Sequence, residues 1–333
     1  MPDSAVLNFT DPYEYRKSVQ GAELQVYVAA RGTFEARLTR IKLDRLWMQR
    51  AYLSLPTVTH SAVDKERRMI FLQFDPDQAP ILHTGTEVSP NEIVCYAPGS
   101  EHHYRTSTSY QCGGMSLSRE DFAGFGKIFA GRELTAPAAT RVLRPPPALM
   151  SRLLNLHKAA GDLAETAPEI LAHPEVARAL EQELVRTMMA CLSDPVTEER
   201  YRVSRPRLPI MPRFEQMLEE HADEPLYLAE VCAAIGVSDR TLRLHCQEQL
   251  GMSPHRYLWL RRMNVVRRAL SLADPTAKTV TEIANDHGFA ELGRFAGAYR
   301  NLFGESPSMT LRRAPDDRLS ANTAGRFPGR LAS

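Results

Sequence analysis

Residues 229–254, AEVCAAIGVSDRTLRLHCQEQLGMSP, and residues 281–307, TEIANDHGFAELGRFAGAYRNLFGESP, are two copies of one pattern. Such a repeat obliges both copies to fold as the same supersecondary unit, a tighter constraint than any other feature of the chain. Glu230 matches Glu282 and Gly236 matches Gly288 at an offset of 52. One inserted residue then moves the offset to 53. At that offset Leu242, Cys246, Leu250, Gly251, Ser253 and Pro254 match Phe295, Tyr299, Phe303, Gly304, Ser306 and Pro307.

Each copy is written as helix, tight turn, helix. Leu228, Val231, Cys232 and Ile235 follow i, i+3, i+4, i+7 and make one apolar stripe. Gly236 can end that helix in a left-handed conformation, because it has no Cβ to clash. Val237 then plugs the space between the helices, and Ser238 can cap the next one with its hydroxyl. In that helix Leu242, Cys246 and Leu250 face inward, leaving Arg240, Thr241 and Arg243 outside. The second copy repeats the plan with Ile283, Ala284, Gly288 and Phe289, then Phe295, Tyr299 and Phe303 inward and Arg294 and Arg300 outside. This is the build of a helix-turn-helix, whose second helix enters the major groove of duplex DNA. Arginine suits its first turns, since the planar guanidinium donates twice to guanine. A plain α-helical hairpin with solvated arginines is the alternative, and two copies sharing the turn glycine weigh against it.

Charge distribution agrees. The whole chain of 333 residues carries a formal charge of +1, yet between Ser238 and Arg313 twelve basic residues stand against seven acidic ones. A basic segment on a near-neutral chain suits local contact with a polyanion. Between the copies, residues 254–274 predict a helix that starts at Pro254 and stops at Asp274-Pro275. Such a rod would join the units rigidly, and successive major-groove faces lie roughly 34 Å apart. On it Arg261, Arg262, Arg267 and Arg268 are candidates for phosphate contact, with at least one expected to make it.

Upstream the texture is β. Segments 24–30, 45–53, 68–74 and 92–98 are short and strand-like, separated by turn residues, and predict a barrel or double-sheet jelly roll over about residues 21–143. Residues 1–20 read as a polar arm. Pro145-Pro146-Pro147 breaks the pattern, and helices follow over about 148–193. Their stripe of Val176, Leu180, Leu184, Met188 and Cys191 either covers the β domain or pairs two subunits as a homodimer. Residues 194–207 read as a linker and 314–333 as a disordered tail. The fold class expected is therefore α+β in two domains: 21–193, β followed by helices, and an all-α domain over 208–313.

Five scattered cysteines without a C-x-x-C pair argue against a disulfide framework or a zinc site and fit a cytoplasmic protein. No basic-then-apolar leader and no run of 18 apolar residues is present, so no membrane partner is expected. No Ser/His/Asp set or glycine-rich phosphate loop presents itself, so no catalytic residue, cofactor or metal is expected.

The second copy, GFAELGRFAGAYRNLFGESPSMTLRR, resembles the signature of the AraC/XylS family of transcription regulators, with Gly288, Phe289, Phe295, Tyr299, Arg300, Phe303, Gly304, Ser306 and Pro307 in place. The resemblance covers about residues 208–313 and implies seven helices, with two helix-turn-helix units on a long connector. Carried over by position, the base-reading residues fall on Arg240, Arg243 and Leu244, and on Leu292, Gly293, Arg294 and Gly297. Leu244 and Gly297 depart from members with arginine there, and Gly293 replaces a frequent serine. Double-stranded DNA is the partner implied, with Thr241, Arg300 and Arg262 as further contacts. RNA polymerase as a partner of an activator, and a small-molecule effector in the N-terminal domain, also follow from the resemblance. Residues 91–104, NEIVCYAPGSEHHY, look like the second cupin motif through Glu92, Pro98, Gly99 and His102, but no first motif accompanies it. His83 and Glu87 are its nearest candidates, and their spacing does not fit. A cupin-like metal-dependent enzyme with an appended DNA-binding domain is the alternative function.

Overall fold

The computed structural model describes residues 2–193, 210–221 and 226–313. The linker expected at 194–207 and the tail expected at 314–333 lie outside the described residues.

The first described elements are β1 (Asp3–Phe9) and α1 (Pro12–Ser18), followed by β2 (Ala22–Val28), β3 (Ala36–Lys42), β4 (Trp47–Leu53), β5 (Thr57–Val63) and β6 (Arg67–Gln73). Short strands β7 (Ile81–His83), β8 (Thr86–Val88) and β9 (Ile93–Cys95) come next, then β10 (Glu101–Arg105) and β11 (Tyr110–Ser118). Helix α2 (Arg119–Ala130) precedes β12 (Arg141–Leu143), and α3 (Pro147–Thr166), α4 (Pro168–Ala172) and α5 (Pro174–Ser193) close this half. The remainder is helical: α6 (Ile210–Glu220), α7 (Leu228–Ile235), α8 (Asp239–Leu250), α9 (Pro254–Leu272), α10 (Val280–Asp286), α11 (Leu292–Phe303) and α12 (Pro307–Arg312). The α+β class, a β domain followed by a helical one, is thus met.

The strands make two antiparallel sheets, one ordered β1-β3-β4-β11-β6-β9-β12 and the other β2-β5-β10-β7-β8. Between them lies a core that includes Val26, Leu38, Phe71 and Tyr104. The outer face of the larger sheet, through Ile70, Leu72, Met115 and Leu117, is covered by α2, α3 and α5. Leu184, Met188 and Cys191 of the α5 stripe are buried in that layer, while Val176 at its start stays exposed. Their stripe therefore closes the chain's own sheet.

Two readings of the sequence differ from the structure. Residues 3–18 do not form a separate arm: β1 pairs with β3 from Asp3↔Lys42 to Phe9↔Ala36, and Tyr15 of α1 is buried in the core. An edge strand with one half-covered face carries little periodicity, so the partner decides it. Strand texture was also expected across residues that form α2, where Ser118 caps the helix by accepting from the Asp121 N–H at 3.0 Å.

The helical domain docks on the outer face of the smaller sheet. Edge strand β2 is closed by Asn264 of α9, whose Oδ1 accepts from the Val28 N–H at 3.1 Å while its Nδ2 donates to the Val28 carbonyl at 3.3 Å. Arg105 of β10 donates to the Gly251 carbonyl at 2.8 Å. His103 meets Glu215 of α6 at 2.8 Å, with both side chains buried. Strand β5 (TVTHSAV) is buried almost throughout, because one face looks into the sandwich and the other onto the docked helices.

Candidate nucleic-acid interface

The repeat is visible in the backbone. Gly236 and Gly288 both adopt left-handed conformations, φ +72° and +74°, after the first helix of each unit. The next residue then donates to the carbonyl five places back, Val237 to Cys232 at 3.0 Å and Phe289 to Ala284 at 2.9 Å. This is a Schellman-type stop, present in both units. Glu230 accepts from the Tyr227 N–H, and Glu282 from the Thr279 N–H, at matching helix starts. Gly251 and Gly304 end the second helices with φ of +65° and +75°, and Ser253 and Ser306 cap the helices that follow.

Packing below the second helices also repeats. Leu242, Cys246 and Leu250 of α8 are buried, as are Phe295, Tyr299 and Phe303 of α11. Each fully buried leucine or phenylalanine contributes about 1.5–3 kcal/mol. In the second unit the rings chain together, with Phe289–Phe295 centroids 4.8 Å apart and Tyr299–Phe303 4.7 Å, and the Tyr299 hydroxyl lies 2.7 Å from Thr310 Oγ1.

Above that core the two helices present their other faces to solvent. On α8, Arg240 and Arg243 are exposed and Leu244 is 57% exposed. Arg243 is held by Asp239 at 2.9 Å, one turn back. Thr241 is half-buried, its hydroxyl 2.8 Å from that of the cap residue Ser238. On α11, Gly293, Arg294, Gly297 and Arg300 are exposed and Leu292 is half-buried. Arg294 pairs with Glu291 at 3.0 Å, an exposed pair that a ligand displaces at little cost. A Cβ added at Gly293 or Gly297 would meet nothing within 4 Å. The fold itself does not require glycine at either place.

Four of the five arginines of the connector α9 engage the chain itself: Arg261 donates to the Leu218 carbonyl, and Arg262 lies 4.9 Å above the Phe289 ring with a 3.5 Å contact to the Gly288 carbonyl. Arg267 lies over Phe303 and 3.7 Å from Glu305, and Arg268 stacks over Tyr13 of α1 at 3.3 Å. Burial lowers the pKa of Arg262 from its usual value. In this arrangement Arg262 braces the second turn against the connector.

Sequence reasoning missed the contacts that tie this interface to the β domain: Asn264, Arg105, His60, His103 and Glu215. One signal was available. Glu215 shares the apolar face of α6 with Met211, Phe214 and Leu218, all buried, and a carboxylate at such a position needs a buried partner.

The cupin-like residues are otherwise engaged. Glu92 is salt-bridged to Arg144 at 2.7 Å, Glu87 is exposed, and His102 Nε2 lies 2.6 Å from Ser100 Oγ and 3.1 Å from Thr140 Oγ1. His83 Nε2 lies 3.2 Å from the Tyr96 hydroxyl, and burial takes its pKa down to about 4. Among the described residues no three His, Cys, Asp or Glu side chains converge as metal ligands, and no helix is long and apolar enough to cross a membrane.

Residues 231–313 match a family model described as a helix-turn-helix domain. The chain is 40% identical over 151 residues to the "Probable thc operon regulatory protein" of Rhodococcus erythropolis, covering 45% of each chain. It is 36% identical over 103 residues to the "XylDLEGF operon transcriptional activator 2" of Pseudomonas putida, covering 31% of this chain and 66% of that one. It therefore spans less than half the length of the Rhodococcus relative. The solved structure of the AraC-like transcriptional activator CuxR superposes with a TM-score of 0.41 at 13% identity, covering 78% of this chain and 94% of that chain.

Proposed function

We propose that the chain is a sequence-specific DNA-binding transcription regulator whose C-terminal domain is of the AraC/XylS type, supported by its helix-turn-helix match and its likeness to operon regulators. The observation that carries the reading is the pair of exposed faces on α8 and α11, built on one repeated scaffold and tipped with arginine. Arg240, Arg243 and Leu244 read one major-groove face, the leucine by apolar contact with a thymine methyl. Arg294 reads the next, with Leu292, Gly293 and Gly297 lying against the duplex. Thr241 and Arg300 hold phosphates beside them.

The chain acts as an activator, in keeping with the name of its Pseudomonas relative, and as an activator it contacts RNA polymerase. It works as a homodimer, so that two helical domains occupy paired half-sites. A small molecule entering the space between the sheets alters that occupancy. The chain performs no catalysis on this reading.

Purified full-length protein tests the proposal against a pool of genomic fragments. Retention of a common motif, released as salt rises, is expected. Indifference to sequence at every salt concentration would overturn it, and a monomer on operator DNA by sedimentation would remove the homodimer.

A further inference from the structure

Between the two sheets lies a small cavity of about 40 Å³, partly open under α1, which a ring-sized ligand has to widen as it enters. Its wall includes Tyr15, Leu38, Ala51, Phe71, Tyr104 and Gly114. Two of these make the room: Ala51 faces Cys112 in register on the larger sheet, and Gly114 lies opposite Phe71. Polar groups in the wall are few and uncharged, chiefly Ser61, Gln49 and the tyrosine hydroxyls. No Asp, Glu, Lys, Arg or His belongs to the lining. Arg40, across from Gln49 in register, has its Nη1 on the Ser18 carbonyl at 3.2 Å.

We propose that this cavity takes a neutral, mostly apolar small molecule with one hydrogen-bonding group, and that it discriminates against the carboxylate analogue of the same skeleton. A carboxylate placed here would leave water with no cation in the wall to meet it, and an unpaired buried charge is strongly disfavoured. The wall's own weak acids register that environment: burial pushes the Cys112 thiol up to about 12 and raises the phenols of Tyr15 and Tyr104. A neutral ring loses no such solvation and gains contact with Phe71, Leu38 and Tyr104.

Strand alternation gives the site a reader. Ser61 and Tyr104 face the cavity, while their neighbours His60 and His103 face the other way, toward Glu215 of the helical domain. A ligand pressing on the rear of β5 and β10 presses on the surface where α6 docks.

The inference rests on reading the β domain as the effector-binding half, and its test separates the two. Full-length protein is titrated with 1-naphthol and with 1-naphthoate at neutral pH, as wild type, as Ala51→Leu and as the milder Ala51→Val. Binding to genomic duplex is measured on the same preparations. Saturable naphthol binding, at least about tenfold tighter than naphthoate, is expected. Ala51→Leu should weaken it by about tenfold or more and Ala51→Val by less, both with duplex binding retained. Naphthoate binding as tight as naphthol, as it would be if Arg40 swung inward, overturns the inference. So does naphthol binding that ignores both substitutions, or no saturable binding at all. In each of these cases intact duplex binding leaves the regulator reading standing.

Discussion

His103 Nε2 of β10 lies 2.8 Å from Glu215 Oε1 of α6, joining the β domain to the helical domain through a pair that is buried on both sides. His60 stacks on His103 with centroids 4.8 Å apart and reaches toward Glu215, Glu219 and Glu101 at 4.0, 3.9 and 3.5 Å. Tyr257 of α9 completes the surround, its ring centroid 6.2 Å from that of His103. This cluster fixes α6 against β5 and β10.

Glu215→Gln should loosen the docking without unfolding either domain. A hydrogen bond to a charged group contributes about 1.5–3 kcal/mol. Hydrogen exchange should therefore quicken at α6 and in β10 while the interiors of α8 and α11 keep their protection. Uniform loss of protection would mean that the pair supports folding rather than docking.

Docking should also depend on pH. Burial works against the charged form of His60, but the nearby carboxylates of Glu101, Glu215 and Glu219 outweigh it and raise its pKa above 6.5. A group whose pKa is raised on folding contributes stability at low pH, which is lost as pH climbs through the raised value. Burial likewise opposes ionisation of Glu215, but the His103 hydrogen bond and the charges of His103 and His60 prevail and lower its pKa. Its contribution is present above the ordinary carboxylate range and lost as pH falls through the lowered value. The thermal midpoint is therefore expected to fall as pH rises above about 6.5, with a smaller fall in His60→Gln. An equal slope in the two proteins would assign the effect to other groups.

At Gly297, folding and recognition should part. Alanine in an exposed helix interior is favoured over glycine by about 0.5–1 kcal/mol, and a Cβ here meets nothing. Gly297→Ala should raise the melting temperature while weakening operator binding, because the helix can then approach the duplex less closely. Unchanged affinity would show that this face does not lie against DNA.

Arg240→Ala and Arg294→Ala should each cost about 1–3 kcal/mol on the specific site and relax preference at one base pair. Equal loss on specific and random duplex would make the arginine concerned a phosphate contact.

Arg262→Ala distinguishes a brace from a phosphate contact. With its guanidinium over Phe289, its removal should destabilise the second unit and leave the salt dependence of binding alone. A slope reduced by about one ion would instead place Arg262 on the backbone of the duplex.

The helix-turn-helix units were legible in the chain because every device that makes them is local. A turn glycine, a cap residue and apolar positions three and four apart act within about a dozen residues, and the repeat states them twice. The rest depended on partners far along the chain. β1 is a strand because β3 lies beside it, and Tyr15 is buried because two sheets close over it. Arg261, Arg262, Arg267 and Arg268 of α9 read from sequence as candidate phosphate contacts, yet the Leu218 carbonyl, Phe289, Glu305 and Tyr13 engage them within the chain. Ser61 and His60 are neighbours in sequence, and only the pairing of β5 sends one into the cavity and the other to Glu215. Local periodicity sets which elements form. What covers each face is settled by contacts between residues tens to hundreds of positions apart, and the sequence marks those only where a misfit such as Glu215 interrupts an apolar stripe.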